Sequence, residues 1–365
     1  MSSLEPISQR ANVETLERFC LSVLASAGAD THSAEACTRS ILHASLHGID
    51  SHGVRLLPHY VTGFRGGRLN RAPVLRFTRT RAASGLVDGD HAQGALATYR
   101  AATEAASLAA EAGVGAVGVY NSSHFGAAGA YAMTVVSSGM IGLVFANSDA
   151  YVRLHHGAAR FHGTNPIAMA VPAGDGPPWL LDMATSAIPL NRVKLLASEG
   201  RELPPAVASD AEGRETREAH RVEMLAPVGA DYGYKGAGLA GMAEVFSAVL
   251  TGGGLSHELL PMGGPDFATP RNLGAFVMAI DPGAFAGARE VAQAMARYLD
   301  ALRASPPTPG GRVMAPGDRE WEEAARRRRE GVPLDAETAN AFAGLAKEFG
   351  LAPPFDGGKP RHASQ

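Results

Sequence analysis

The sequence predicts a mixed α/β protein in which helices from both chain ends flank a central body of strands and helices. Three observations carry this reading. Through roughly the first 70 residues, apolar side chains recur at three- and four-residue steps, the signature of amphipathic helices. Between residues 74 and 280, short apolar or β-branched runs bounded by Gly, Pro, Asn or Asp are interspersed with helical stretches. Helical periodicity then resumes beyond Ser305-Pro-Pro-Thr-Pro-Gly-Gly311, whose prolines and glycines cannot continue a helix.

In chain order, Val13, Leu16, Phe19, Cys20, Val23 and Leu24 mark a first helix closed by Gly28, and Ser33 opens a second that runs to His47. Asp50 and Ser51 are placed to cap a third, from His52 to about Phe64, with Pro58 starting or kinking it. Strands follow at Val74–Thr78 and Gly85–Val87, then an alanine-rich helix Ala95–Ala112. Ala116–Tyr120, Ile141–Ala146, Ile167–Val171, Trp179–Leu181 and Ala275–Ile280 read as further strands. Gly126–Ser138, Lys235–Leu250 and Ala288–Leu302 read as helices, as does the C-terminal pair Trp321–Arg329 and Ala336–Glu348. Pro353–Gln365 reads as a loose tail. The expected division is a discontinuous helical unit, residues 1–73 with 306–365, around a central α/β unit, residues 74–305.

At 365 residues, with 45% hydrophobic and only 19% charged residues, the chain is too apolar to be disordered. Its 33 basic and 36 acidic residues leave a net charge of -3, no footprint for nucleic acid or an anionic membrane, so the expected partner is a small molecule. Cys20 and Cys37 form no Cys-x-x-Cys pair, and Met-Ser-Ser-Leu-Glu-Pro at the N-terminus lacks the basic and apolar regions of a leader. The expectation is a soluble cytoplasmic chain with buried free thiols.

Gly113-Val-Gly115-Ala-Val-Gly118 satisfies G-x-G-x-x-G, yet it follows a helix and enters a strand. A dinucleotide-binding Rossmann turn needs the reverse order, so Gly113 reads as a helix C-cap. His43 and His47 stand at i, i+4, a spacing that can offer two metal ligands. No Glu lies between them as in H-E-x-x-H; they read as helix histidines, and no metal is expected. His52 is the acid/base candidate, because a helix start lowers its pKa through the dipole and Arg55 supplies a carboxylate anchor. Asn121-Ser-Ser-His124-Phe-Gly-Ala-Ala-Gly leads from strand to helix through a small-residue turn able to hold phosphate. Gly163-Thr-Asn165-Pro and Asp182-Met-Ala-Thr-Ser186 set short polar groups at strand edges. Tyr232-Gly-Tyr234-Lys235-Gly236 opens a helix with a lysine, which suits an anion better than it suits the dipole.

His-Gly-Ile-Asp-Ser-His-Gly (47–53), Asn-Ser-Ser-His-Phe-Gly-Ala (121–127), Gly-Thr-Asn-Pro-Ile-Ala (163–168), Asp-Met-Ala-Thr-Ser (182–186), Tyr-Lys-Gly (234–236) and Ala-Pro-Gly-Asp-Arg-Glu (315–320) occur in that order. This set, spanning about Leu16 to Leu345, closely resembles the malate/L-lactate dehydrogenase family, which is distinct from the Rossmann-type lactate and malate dehydrogenases. The family includes ureidoglycolate, sulfolactate and 2,3-diketogulonate enzymes and the Δ1-piperideine-2-carboxylate reductases.

The resemblance implies a large central non-Rossmann sheet domain that binds NAD or NADP, a helical domain built from both chain ends, and a homodimer. By resemblance His52 is the proton donor to the carbonyl, Ser51 its neighbour in a relay, and His124 a second active-site histidine. Arg55, Tyr60, Thr164 and Asn165 are the substrate-binding candidates. His124, Phe125, Gly126, Ser148, Asp182, Met183, Ala184, Lys235, Gly317, Asp318 and Arg319 are the cofactor-binding ones. Two departures matter. Leu56 stands where family members often carry an arginine, leaving Arg55 one step early, and Asn191-Arg192 stands where the imine reductases carry a relay aspartate. The expected activity is NAD(P)-dependent interconversion of a malate- or lactate-like 2-hydroxy acid and its 2-oxo acid. Cyclic imine reduction is the alternative within the family. A metal hydrolase on His43, His47 and His52, or a sensor that binds nicotinamide cofactor without turnover, are the alternatives outside it.

Overall fold

A seven-stranded sheet runs through the middle of the molecule in the order Arg76–Arg81, Ser84–Asp88, Val114–Ser122, Leu273–Ile280, Ile141–Ala146, Ile167–Val171, Trp179–Met183. The computed structural model describes residues 9–355, so the N-terminal hexapeptide and residues 356–365 of the expected tail lie outside the described residues. Only Ser84–Asp88 and Val114–Ser122 pair in parallel; every other neighbouring pair is antiparallel. A Rossmann sheet is mostly parallel, so this is a different α/β architecture.

The helix Gly94–Ala112 packs on this sheet through Ala95, Ala102, Ala105 and Ala109, all fully buried. Small side chains let helix and strand approach closely. A Cβ on Gly115 would stand 2.1 Å from the Ala105 carbonyl oxygen, so that glycine exists for packing. Gly113 has φ +81° and its N–H donates to the Ala109 carbonyl, the C-cap read from the sequence.

A second core joins the two chain ends. Leu16, Phe19, Leu24 and Phe64 pack against Phe342 and Leu345, and the Phe19 and Phe342 rings lie 5.2 Å apart. Gln9–Ala11 pairs antiparallel with Val332–Leu334, two strands too short to show alternation in sequence. Arg327, 5% exposed, holds both carboxylate oxygens of Asp50 and donates to the Ser45 carbonyl at 2.7 Å. Cys20 and Cys37 are free and buried in this unit.

Several expectations change. Asp30, not Ser33, caps the helix Thr31–Leu46, its carboxylate accepting the Ser33 N–H at 2.8 Å. The expected helix from His52 is two 3₁₀ turns, Asp50–His52 and Val54–Leu56, with an α-helix only over Leu57–Gly66. Asp50 is drawn to Arg327 instead of capping, and Gly53 presses against the preceding helix, where a Cβ would stand 2.2 Å from Ser45 Oγ. The helix after His124 shortens to Gly129–Val136, and Leu190–Ser198 forms a helix that the periodicity did not mark. The helix Gly233–Glu244 passes into a π-helical turn, Val245–Val249. Among the described residues, no helix is long and apolar enough to cross a membrane.

Candidate active site

The two central histidines are brought together by elements far apart in sequence. The His52 and His124 rings stack with centroids 5.7 Å apart and planes 17° from parallel. His52 Nδ1 lies 2.8 Å from Ser51 Oγ, and His124 Nδ1 lies 2.8 Å from Tyr60 Oη. Among the described residues neither Nε2 has a protein partner, and both rings line one narrow pocket of about 30 Å³. Ser122, Gly126, Ser148 and Thr164 line it too, with Leu273–Ala275 of the central strand as one wall.

His124 follows the end of the strand Val114–Ser122, and its carbonyl is fixed by Gln93 Nε2 at 3.0 Å and the Gly94 N–H at 3.2 Å. A Cβ on Gly94 would stand 2.1 Å from the Ser123 carbonyl oxygen, so this start of the alanine-rich helix must be glycine. The Phe125 carbonyl accepts from Ser40 Oγ at 2.8 Å and from Tyr131 Oη. These bonds hold a turn in which the amides of Gly126, Ala127 and Ala128 have no protein acceptor among the described residues.

Burial lowers the pKa of His52. The helix dipole invoked from the sequence is not the cause, because His52 ends a 3₁₀ turn rather than opening a helix. His124 is held well below the ordinary value by burial first, then by the fields of His52, His59 and Arg271. Asp182 accepts the Gly129 N–H at 2.8 Å, and burial pushes its carboxyl up to about 6.

Several other expected site residues do not line this pocket. Arg55 bonds Glu337 at 3.0 Å and approaches Asp335 at 3.8 Å, and it does not line the pocket. Tyr60 is fully engaged in the interior with His124, so its hydroxyl orients a histidine. Asn165 is wholly buried, its Nδ2 donating to the Ala240 carbonyl and to Glu244 and its Oδ1 accepting the Ser148 N–H. That leaves no polar atom of Asn165 for a substrate. Met183 and Ala184 are half-buried at the end of the last strand. Lys235 is exposed, its Nζ 5.1 Å from the Tyr232 ring centroid. Gly317 has φ +98°, Asp318 pairs with Arg303 at 2.7 Å, and Arg319 pairs with Glu320 on the surface. Asp318, Trp321, Arg303 and Arg312 border a separate cleft of about 450 Å³.

The His43 and His47 rings lie with centroids 4.2 Å apart, tilted by 32°, and burial first of all lowers His43 to about 3. Among the described residues no three His, Cys, Asp or Glu side chains gather as a metal site. Gln93, Ser122 and Gly274 were not singled out from sequence. Ser122 lay inside a motif that was, and its buried Oγ has no partner among the described residues; Gln93 and Gly274 come from segments with no local signal.

The pattern of the malate/L-lactate dehydrogenase family matches residues 11–343. The malate dehydrogenase of Pyrococcus abyssi is 32% identical over 346 residues, 93% of this chain and 94% of that one. The L-sulfolactate dehydrogenase of Methanothermobacter thermautotrophicus is 31% identical, covering 94% of this chain and 98% of its own. The crystal structure of Δ1-piperideine-2-carboxylate reductase from Pseudomonas syringae pvar. tomato superposes with a TM-score of 0.83 at 27% identity, over 93% of this chain and 100% of that one.

Proposed function

We propose that this chain, which belongs to the malate/L-lactate dehydrogenase family, interconverts a 2-hydroxy acid and a 2-oxo acid with NAD or NADP. The observation that carries the reading is the stacked pair His52 and His124, each oriented through Nδ1 and each presenting an unpartnered Nε2 to one pocket.

The residues present fit a dinucleotide. The unpartnered amides of Gly126, Ala127 and Ala128 lead into the helix Gly129–Val136 and suit a phosphate. The Asp182 carboxylate beside them is an acceptor, which suits ribose hydroxyls. The buried, orphaned Ser122 Oγ offers a further polar contact inside the pocket. A bound nicotinamide supplies the hydride in reduction and takes it in oxidation.

In reduction His52 gives its Nε2 proton to the carbonyl oxygen, and Ser51, 2.8 Å from Nδ1, is placed to relay a proton to the ring. In oxidation the neutral ring takes the hydroxyl proton. Because burial holds the pKa of His52 below the ordinary 6.5, the ring is mostly neutral at pH 7 and is poised as a base. Thr164 stays at the pocket as a substrate contact; Arg55 and Tyr60, committed to Glu337 and His124, act on the site indirectly. Asn191 Nδ2 donates to the Ser51 carbonyl at 3.4 Å, and an amide there cannot relay a proton as a carboxylate would. That favours the carbonyl over the imine. A second copy of the chain would cover Leu239, Met242, Val245, Val249 and Leu250, an exposed apolar face along the Gly233–Glu244 helix and its continuation.

The test is a panel of 2-oxo acids with each reduced cofactor, with and without added amine. Amine-independent oxidation of NADH or NADPH is expected. Amine-dependent oxidation would assign the imine reaction, and tight cofactor binding without oxidation would assign a sensor. Lys235→Ala is expected to weaken cofactor binding about 5- to 30-fold while changing kcat less than about threefold, as a point charge on phosphate does. Equilibrium titration with the reduced cofactor checks it, and an unchanged dissociation constant returns Lys235 to the surface.

A further inference from the structure

We infer that Glu244 is a positioning residue that sets the Ser148–Thr164 wall of the pocket through Asn165. The inference rests on the pocket being the reaction site and extends that reading to a carboxylate outside it.

Glu244 is 8% exposed and among the described residues no Lys or Arg pairs with it; the ionisable group that faces it, His162, has its pKa lowered by burial. A buried carboxylate without a counter-ion persists only where several donors converge on it. Here Oε2 accepts from Asn165 Nδ2 at 2.8 Å and from Ser256 Oγ at 2.5 Å, and Oε1 accepts the Ser256 N–H at 2.6 Å. Asn165 carries the constraint onward. Its Oδ1 takes the Ser148 N–H at 3.3 Å, and Ser148 Oγ takes the Thr164 N–H at 3.1 Å. Both Ser148 and Thr164 line the pocket with His52 and His124. The packing leaves little slack: a Cβ on Gly163 would stand 2.2 Å from Ser148 Oγ and 2.7 Å from Asn165 Oδ1. Thr185 closes the other side, its Oγ1 donating to the Thr164 carbonyl at 3.0 Å.

The carboxylate cannot be exchanged for its amide without conflict. All three partners donate, so a glutamine has to turn its NH₂ toward either Asn165 Nδ2 or the Ser256 N–H. Whichever it chooses, one buried donor loses its acceptor and the wall loses its anchor.

The test compares wild type, Glu244→Gln and Ser256→Ala. For Glu244→Gln, KM for the 2-oxo acid or the cofactor is expected to rise about 5- to 30-fold, with kcat falling less than about threefold. Independently of activity, hydrogen exchange in peptides covering residues 147–165 is expected to speed up in Glu244→Gln by a similar factor while the Gly94–Ala112 helix exchanges as in wild type. Ser256→Ala keeps the Glu244–Asn165 bond but removes the Ser256 Oγ contacts to Glu244 and, at 3.3 Å, to Asn165 Oδ1, and is expected to show the same changes at smaller amplitude; if Glu244→Gln does not fold, exchange in Ser256→Ala decides whether the Glu244–Asn165–Ser256 cluster positions the wall. Unchanged exchange at 147–165 and unchanged KM values overturn the inference. Wild type that turns over no 2-oxo acid overturns the dehydrogenase reading instead, and the exchange data still decide whether Glu244 positions the wall.

Discussion

His52→Gln is expected to lower kcat by roughly 10²–10⁴ while leaving the cofactor dissociation constant within about twofold. Glutamine fills most of the imidazole volume and can donate a hydrogen bond, but it cannot give up and recover a proton near neutral pH. The loss therefore falls on the proton transfer rather than on binding. His124 cannot substitute readily, because burial and the fields of His52, His59 and Arg271 disfavour its protonated form. Steady-state kinetics with cofactor titration checks the split. Turnover within tenfold of wild type would make His52 structural and move the donor to His124.

Cutting the chain at Ser305–Gly311 and discarding residues 312–365 is expected to unfold the helical unit and abolish activity together. The lost segment buries Val332, Leu334, Phe342 and Leu345 against the N-terminal helices. At about 1.5–3 kcal/mol each, these four side chains alone amount to about 6–12 kcal/mol, comparable with the whole stability of a typical domain of about 5–15 kcal/mol. The cut also removes the strand paired with Gln9–Ala11 and leaves Asp50 without Arg327, two residues ahead of His52. Circular dichroism and assay of the truncated chain check this. A truncated protein that stays folded and active would contradict both the shared core and the cofactor role that the family resemblance implies for Gly317, Asp318 and Arg319.

What could be read from sequence divides along locality. Ile141–Ala146 and Ile167–Val171 occupy the expected positions because each is an apolar run between breakers, buried in the sheet. The rejection of a Rossmann turn at Gly113 also rested on local order, helix before strand, which the structure shows. Nonlocal contacts were illegible. Nothing near Gly53 announces that Ser45 Oγ would press on it and break the helix expected from His52. Arg55 looks like a substrate anchor until Glu337, 282 residues on, claims it. Asn165 sits in a motif rich in short polar groups, yet its partners come from Ala240, Glu244 and Ser148. The motifs could mark where chemistry gathers but not which members face the guest and which hold the frame.

The central claim is that one half-buried histidine, His52, passes the proton in both directions, and the pH dependence of kcat/KM for reduction and for oxidation tests it most directly. Protonated His52 is the form needed to reduce, and the neutral form is the one needed to oxidise. With its pKa lowered by burial, reduction should rise and oxidation fall as pH drops through a single ionisation below 6.5, and both features should vanish in His52→Gln. Profiles that are flat through this range, or that keep the same ionisation in His52→Gln, would contradict the account.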